Sequence, residues 1–156
     1  MRILIQRVAR AWLELDGTRT PPAGQGLVAL VGFREGDGDA LLAPMAAKMV
    51  NLRIFEDEAG RMNRSLLEVG GDLVLVPQFT LYANSTKGRR PSFIAAQAPE
   101  TAAPLFERFV ARCREHVPAA TTGRFGAMMQ VHLVNDGPVT ILLDSDELNL
   151  GRGTGA

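Results

Sequence analysis

Cysteine occurs once in the 156 residues, at Cys113, so no intramolecular disulfide can form and a cytoplasmic setting is expected. Net charge is absent too, with 17 basic residues against 17 acidic ones. Domains that hold nucleic acid by bulk electrostatics are usually basic overall, so no DNA partner is expected, although a local basic patch remains open. No apolar run approaches the roughly 20 residues of a membrane span, and no membrane partner is expected. At the N-terminus, "MRILIQRVAR", Gln6, Arg7 and Arg10 interrupt any signal-peptide core.

The usual catalytic kits are missing as well. There is no Cys-x-x-Cys pair, His-Glu-x-x-His run, Walker loop or Gly-x-Ser-x-Gly elbow, so neither a metal nor a cofactor is expected. The two histidines are weak candidates. His116 falls near a helix end, where a cation suits the dipole, and His132 falls on the polar face of a strand. Cys113 is in phase with Leu105, Phe106 and Phe109 and reads as a core thiol. The acids Glu56, Asp57 and Glu58 read as a solvated turn. Hydroxyls, amides, backbone groups and the substrate itself are what remain for chemistry.

What is there is an ordinary globular composition, 46% hydrophobic and 22% charged, of single-domain length. Ile3, Ile5, Ala9, Ala11, Leu13 and Leu15 share one parity and predict a half-buried strand. Arg7 shares that parity, so either a β-bulge shifts the phase or Arg7 turns inward and needs acceptors. "DGTR" predicts a turn and "GLVALVGF" a second strand. Residues 39–52 predict a helix capped by Asp39, and residues 99–117 predict a longer one with a wide apolar face. "RIFEDEAGRMN" reads as a strand, a turn and a return, and residues 123–144 as two strands separated by "NDGP". The expected fold is α+β: mainly antiparallel sheets in a barrel- or sandwich-like core with two packed helices, one domain. Residues 1–145 would form that domain and 146–156 a loose Gly-rich tail.

Two stretches carry the functional signal. In "LVLVPQFTLYAN", residues 73–84, alternation puts Val74, Val76, Gln78, Thr80 and Tyr82 on one face, which turns from apolar to hydrogen-bonding. Pro77 interrupts pairing or marks an edge strand. Spacing alone also fits an edge strand running out of the core. In "NDGPVT", residues 135–140, Gly-Pro makes a restricted connection, and spacing alone favours an ordinary hairpin turn.

Together, "PQFTL" and "NDGPVT" resemble the signature of the D-aminoacyl-tRNA deacylases, also called D-tyrosyl-tRNA deacylases, whose motifs are typically Ser-Gln-Phe-Thr-Leu and Asn-x-Gly-Pro-Val-Thr. "LIQRV", "RIF", "RPSF", "TGRF" and "MQVHLVNDGPVT" extend the resemblance over residues 1–145. It implies a β-rich homodimer that hydrolyses the ester between a D-amino acid, or glycine, and the 3′-terminal adenosine of tRNA. It implies a cis Gly137–Pro138 bond that enters the partner subunit's site and excludes L-amino acids by sterics. It assigns Gln78, Phe79 and Thr80 to the catalytic site, Ala102, Phe125 and Met129 to the adenine pocket, and Arg7 to support of the Gly-Pro loop. An aminoacyl ester is already activated, so orientation, oxyanion stabilisation and a placed water suffice. The ribose 2′-OH would help activate that water. No base in the motif accounts for Thr80 as a nucleophile, so Thr80 would shape the site.

The chain departs from the family at Pro77, where serine is usual. A branch that removes L-alanine from threonine tRNA also begins this motif Pro-Gln, but follows it with alanine. An L-alanyl-tRNA editing enzyme is therefore one alternative. Another is a non-catalytic tRNA-end-binding module using Lys87, Arg89 and Arg90, whose phosphate contacts stand against a reading as a solvated loop.

Overall fold

The computed structural model describes residues 1–150. Strand β1, Arg2–Leu15, turns through Asp16 and Gly17, both at positive φ, into the short β2, Thr18–Arg19. Strand β3, Gly26–Gly32, runs antiparallel to the first half of β1. A 3₁₀ turn, Asp39–Leu41, leads into helix α1, Leu42–Val50. Pro44 falls in its first turn, where its missing N–H costs nothing. Asp39 does not cap this helix: Gly38 precedes the turn, and the Asp39 carboxylate instead pairs with Arg108 at 2.6 Å.

A small hairpin follows, β4 (Phe55–Glu56) and β5 (Met62–Arg64). Its turn is organised by Asp57, which accepts from the amides of Ala59 and Arg61. Helix α2, Leu66–Val69, is a single turn closed by a reciprocal Ser65–Glu68 capping box. Strand β6, Asp72–Pro77, then pairs parallel to β3, and β7, Thr121–Thr122, pairs parallel to β6. Between them lies helix α3, Pro99–Arg114. Strand β8, Met129–Asp144, lies antiparallel to β1 along nearly its whole length.

The class is α+β with two substantial packed helices, as expected, but the sheet is mixed, in the order β2-β1-β3-β6-β7 with β8 on β1. Parallel pairing of β3 and β6 follows from the long crossover that carries α1. Two clusters fill the interior. Ile3, Ile5, Leu27, Ala29, Val31, Leu73 and Leu75 face α1 and α3, which contribute Met45, Met49, Phe106 and Phe109. Val28, Val74 and Val76 point the other way, onto Val8, Ala11 and Leu13 of the curled β1–β8 ribbon. β1 thus serves both clusters. A register shift around Ala9 moves the inward set from Ile3 and Ile5 to Val8, Ala11 and Leu13, and leaves Ala9 itself exposed. Both openings offered by the sequence are therefore taken, since Arg7 is buried as well.

Of the expected tail, residues 146–150 form turns, with Leu148 and Leu150 packed against the core; 151–156 lie outside the described residues.

Candidate active site

Strand β6 stops at Pro77, and the reason is visible in the ladder. Gly123 N–H donates to Leu75 O at 2.8 Å, and the next rung would run from the N–H of residue 77 to Gly123 O. Proline has no such donor. Thr122 Oγ1 supplies the bond to Gly123 O instead, at 2.8 Å. Past Pro77 the chain does not continue as an alternating strand. Phe79–Tyr82 coil into a 3₁₀ turn, so Gln78, Thr80 and Tyr82 do not share a sheet face.

That turn lies against the end of β3. A Cβ on Gly32 would stand 2.8 Å from Gln78 O and 3.1 Å from Leu81 Cβ, so only glycine admits this approach. Gln78 N–H donates to Val31 O at 2.7 Å. Arg2 ties down the far end: Nη1 donates to Leu81 O at 3.0 Å, and the guanidinium lies 4.7 Å from the centre of the Tyr82 ring. Burial, with Asp37 and Asp144 nearby, pushes the Tyr82 hydroxyl well above its usual range, so it stays protonated. Arg2 Nε also bonds Asp144 at 2.8 Å. Burial alone would raise the Asp144 carboxyl, but the Arg2 hydrogen bond, the Asp146 amide and nearby positive charge outweigh it and hold it low.

The result is a set of unengaged groups at the start of the turn. Among the described residues, the N–H groups of Phe79 and Thr80 donate to no protein acceptor. The Gln78 side-chain amide donates to Thr80 Oγ1, which fixes both side chains.

Beside the turn opens a cleft of about 860 Å³. Gln78 and Phe79 line one side, Phe125 and Met129 another, and Ala98, Pro99 and Glu100 bring the start of α3 to a third. That helix end has no side-chain cap, so the positive end of its dipole faces the cleft. Gly123 makes room for Met129: a Cβ there would lie 2.6 Å from Met129 Sδ. Ala102 does not line the cleft. It is buried in the core, and its neighbour Ala103 is the one exposed to the cavity. Gln97 is a further lining residue that the sequence did not single out; its Oε1 is buried without a partner.

The second motif lies elsewhere on the chain. "NDGPVT" is not a turn between two strands but a wide bulge within β8. Val8 pairs with Asn135 and Gln6 with Thr140, so residues 136–139 stand out opposite Arg7. The Gly137–Pro138 bond is cis, and both residues are exposed. Asn135 closes the bulge, its Oδ1 accepting from Val139 N–H at 2.7 Å and its Nδ2 donating to Val139 O at 3.1 Å. Arg7 fixes it from beneath, donating from Nε to Asp136 O at 2.8 Å and from Nη1 to Ile54 O at 2.6 Å. Neither Gly137 nor Pro138 lines the cleft within one chain.

The remaining candidates sort themselves by position. Lys87, Arg89 and Arg90 are exposed on the loop between Asn84 and Ser92. His132 stacks on Trp12 with centroids 4.9 Å apart, and His116 is exposed beyond the end of α3. Burial pushes the Cys113 thiol up to about 12, so no thiolate is available near neutrality. No helix among the described residues is long and apolar enough to cross a membrane.

Comparison with known proteins gives the arrangement its family. The family model described as D-Tyr-tRNA(Tyr) deacylase matches residues 4–144. The D-aminoacyl-tRNA deacylase of Thermomicrobium roseum is 56% identical over 151 residues, 97% of this chain and 98% of that protein. That of Roseiflexus sp. (strain RS-1) is 54% identical over 145 residues, 93% of this chain and 94% of that protein. The solved structure of a "c-Myc DNA Unwinding Element Binding Protein" is 37% identical with a TM-score of 0.87, covering 93% of this chain and 99% of that one. The chain belongs to the D-Tyr-tRNA(Tyr) deacylase family and is a D-aminoacyl-tRNA deacylase, a hydrolase of the ester bond of aminoacyl-tRNA.

Proposed function

We propose that the protein proofreads chirality. It hydrolyses D-aminoacyl-tRNA and glycyl-tRNA, including glycine mischarged on alanine tRNA, in the cytoplasm, and rejects L-aminoacyl esters through Gly137–Pro138 of a second copy. The unengaged amides of Phe79 and Thr80 at the edge of the cleft carry this reading. They suit a tetrahedral oxyanion, and one such donor is typically worth about 10²–10³ in rate.

The terminal adenosine occupies the wall formed by Phe125 and Met129, which brings the ester beside Gln78. Water attacks the carbonyl carbon and its proton passes by way of the ribose 2′-OH to O3′. The C–O3′ bond breaks, leaving free amino acid and a tRNA 3′-hydroxyl. Thr80 Oγ1 is engaged by Gln78 and no histidine is placed to activate it, which supports a shaping role. Gly137 and Pro138 are exposed and held from behind by Arg7 and Asn135, as a rigid probe of another molecule's site would be. Such a probe discriminates by clash, since an L side chain and a D side chain point to opposite sides of the same ester.

Purified protein given matched D-, L- and glycyl-tRNA tests the reading. Release of D-amino acid and glycine with the L-ester spared is the expected result. Equal cleavage of both isomers overturns the chirality filter. Preferential cleavage of L-alanyl-tRNA would place the chain with the branch whose motif also begins Pro-Gln.

A further inference from the structure

Residues 73–99 contain no aspartate or glutamate, yet carry Lys87, Arg89 and Arg90 in a chain of zero net charge. These three sit on a loop with a defined stem. Asn84 and Ser92 exchange backbone hydrogen bonds, both of 2.8 Å, and Asn84 Oδ1 accepts from the N–H and hydroxyl of Thr86. Elsewhere Arg34, Arg108 and Arg124 each bond a carboxylate, while the exposed Arg10 and Arg61 stand singly rather than in a cluster. Among the described residues, Lys87, Arg89 and Arg90 donate to no protein acceptor.

The stem of this loop runs directly into the cleft. Phe93 follows Ser92 and meets Phe79 edge to face, with centroids 5.2 Å apart. Both rings line the cleft and are substantially exposed, Phe79 at 49% and Phe93 at 39%. The fold does not use these apolar faces. Arg90 stands three residues from Phe93, a chain path of at most about 10 Å. An aromatic face at a cleft mouth followed by unpaired cations matches a single strand, which offers a base and a phosphate with each nucleotide.

We propose that Phe93 and the Asn84–Ser92 loop form the track for the single-stranded 3′ end of tRNA immediately before the esterified adenosine. The penultimate base stacks on Phe93, and the phosphates behind it meet Arg90, Arg89 and Lys87. This rests on the reading that the cleft holds the terminal adenosine.

Binding of uncharged tRNA, followed by fluorescence anisotropy across a potassium chloride series, reads the track without turnover. Each phosphate contact on a single strand contributes about 0.7 to the log–log salt slope. A Lys87→Gln/Arg89→Gln/Arg90→Gln variant is expected to lower the slope by about 2 and weaken binding about 50-fold at 0.15 M salt, taking 1 M as the reference. Phe93→Ala is expected to weaken binding five- to 150-fold with the slope unchanged, since stacking carries no counterions. Circular dichroism melting confirms that each variant is folded. Binding and salt slope unchanged in the triple variant overturn the track. Hydrolysis of a D-aminoacyl ester of adenosine, which has no phosphate, separately tests the cleft: loss there with the tRNA salt slope intact overturns the adenosine reading and not the loop's contact with tRNA.

Discussion

Replacing Gly32 by alanine isolates the position of the 78–82 turn as a catalytic variable. The backbone of Gly32 is not in the left-handed region, so alanine is conformationally allowed. On chain entropy alone the change would stabilise the protein by about 0.4–1 kcal/mol. Space reverses the sign. The added Cβ lies 2.8 Å from Gln78 O and 3.1 Å from Leu81 Cβ, and neither partner is the free end of a flexible side chain. Ordinary contact needs about 3.4 Å or more, so the turn must retreat by roughly half an ångström. Overpacking of this kind costs about 1–3 kcal/mol. Displacements approaching 1 Å at reacting groups cost up to about 100-fold in rate. The amides of Phe79 and Thr80 move with the turn, so kcat for D-aminoacyl-tRNA should fall about 10- to 100-fold while urea unfolding stays cooperative. Gly24→Ala is the control, because a Cβ there meets only Asp72 Oδ2, at an ordinary 3.6 Å. A Gly32→Ala enzyme with wild-type kcat would refute the placement of the oxyanion donors.

Arg7→Ala leaves the carbonyls of Ile54 and Asp136 without their donor and should cost about 2–4 kcal/mol in urea unfolding, while Arg7→Lys, which lacks the fork, should fold but lower the D-over-L rate ratio at least tenfold. An unchanged ratio in a folded Arg7→Lys enzyme would remove the Gly-Pro loop from discrimination. Asp144 titrates below its unfolded value of about 4, so the stability it contributes is fully present above that pH and is lost as pH falls through the lower folded value. Asp144→Asn should therefore flatten the acid limb of a stability–pH curve, and an unaltered limb would mean that its ion pair with Arg2 contributes nothing. Dilution of the proposed dimer below its dissociation constant should lower the D-over-L ratio, because a single chain would keep its amides and cleft but no longer receive a partner's loop. A ratio independent of concentration down to the monomer would contradict the cross-subunit filter.

The limits of the sequence are specific and physical. Odd-numbered residues from Ile3 to Leu15 are apolar except for Arg7, yet the strand changes the face it buries partway along. Arg7 raised the possibility of a bulge, but its position at Ala9 is silent because alanine is tolerated both inside and outside. Pro77 correctly announced a break in pairing, but the alternation beyond it imitated a strand where the backbone coils. The helix at 99–114 was legible from its wide apolar face, whereas the choice between Ala102 and Ala103 was not. Neighbouring helical residues point about 100° apart, and only packing sets the rotation. Gly32 and Arg2 were missed as positioning residues because each acts on a segment distant in sequence, and Asn135 because it acts on the backbone of Val139. An inward-facing arginine, by contrast, was detectable at Arg7, since a charge on an apolar face demands acceptors wherever they are.

That difference bears on how the enzyme divides its work. In the proposed site the groups near the ester are backbone amides, an amide side chain and a hydroxyl, none of which titrates near neutrality. Chemistry of this kind depends on where groups stand more than on what they are. Residues without reactive side chains therefore become the critical ones: a glycine that admits the turn, a proline that ends the strand, a threonine that takes over the missing rung. The exposed Gly-Pro loop follows the same logic from the other side of the chain. Arg7 and Asn135 supply it with rigidity and no reactivity, which is what a steric filter requires. In the proposed dimer each half is then built on its own fixed scaffold, and specificity arises only where two such scaffolds meet.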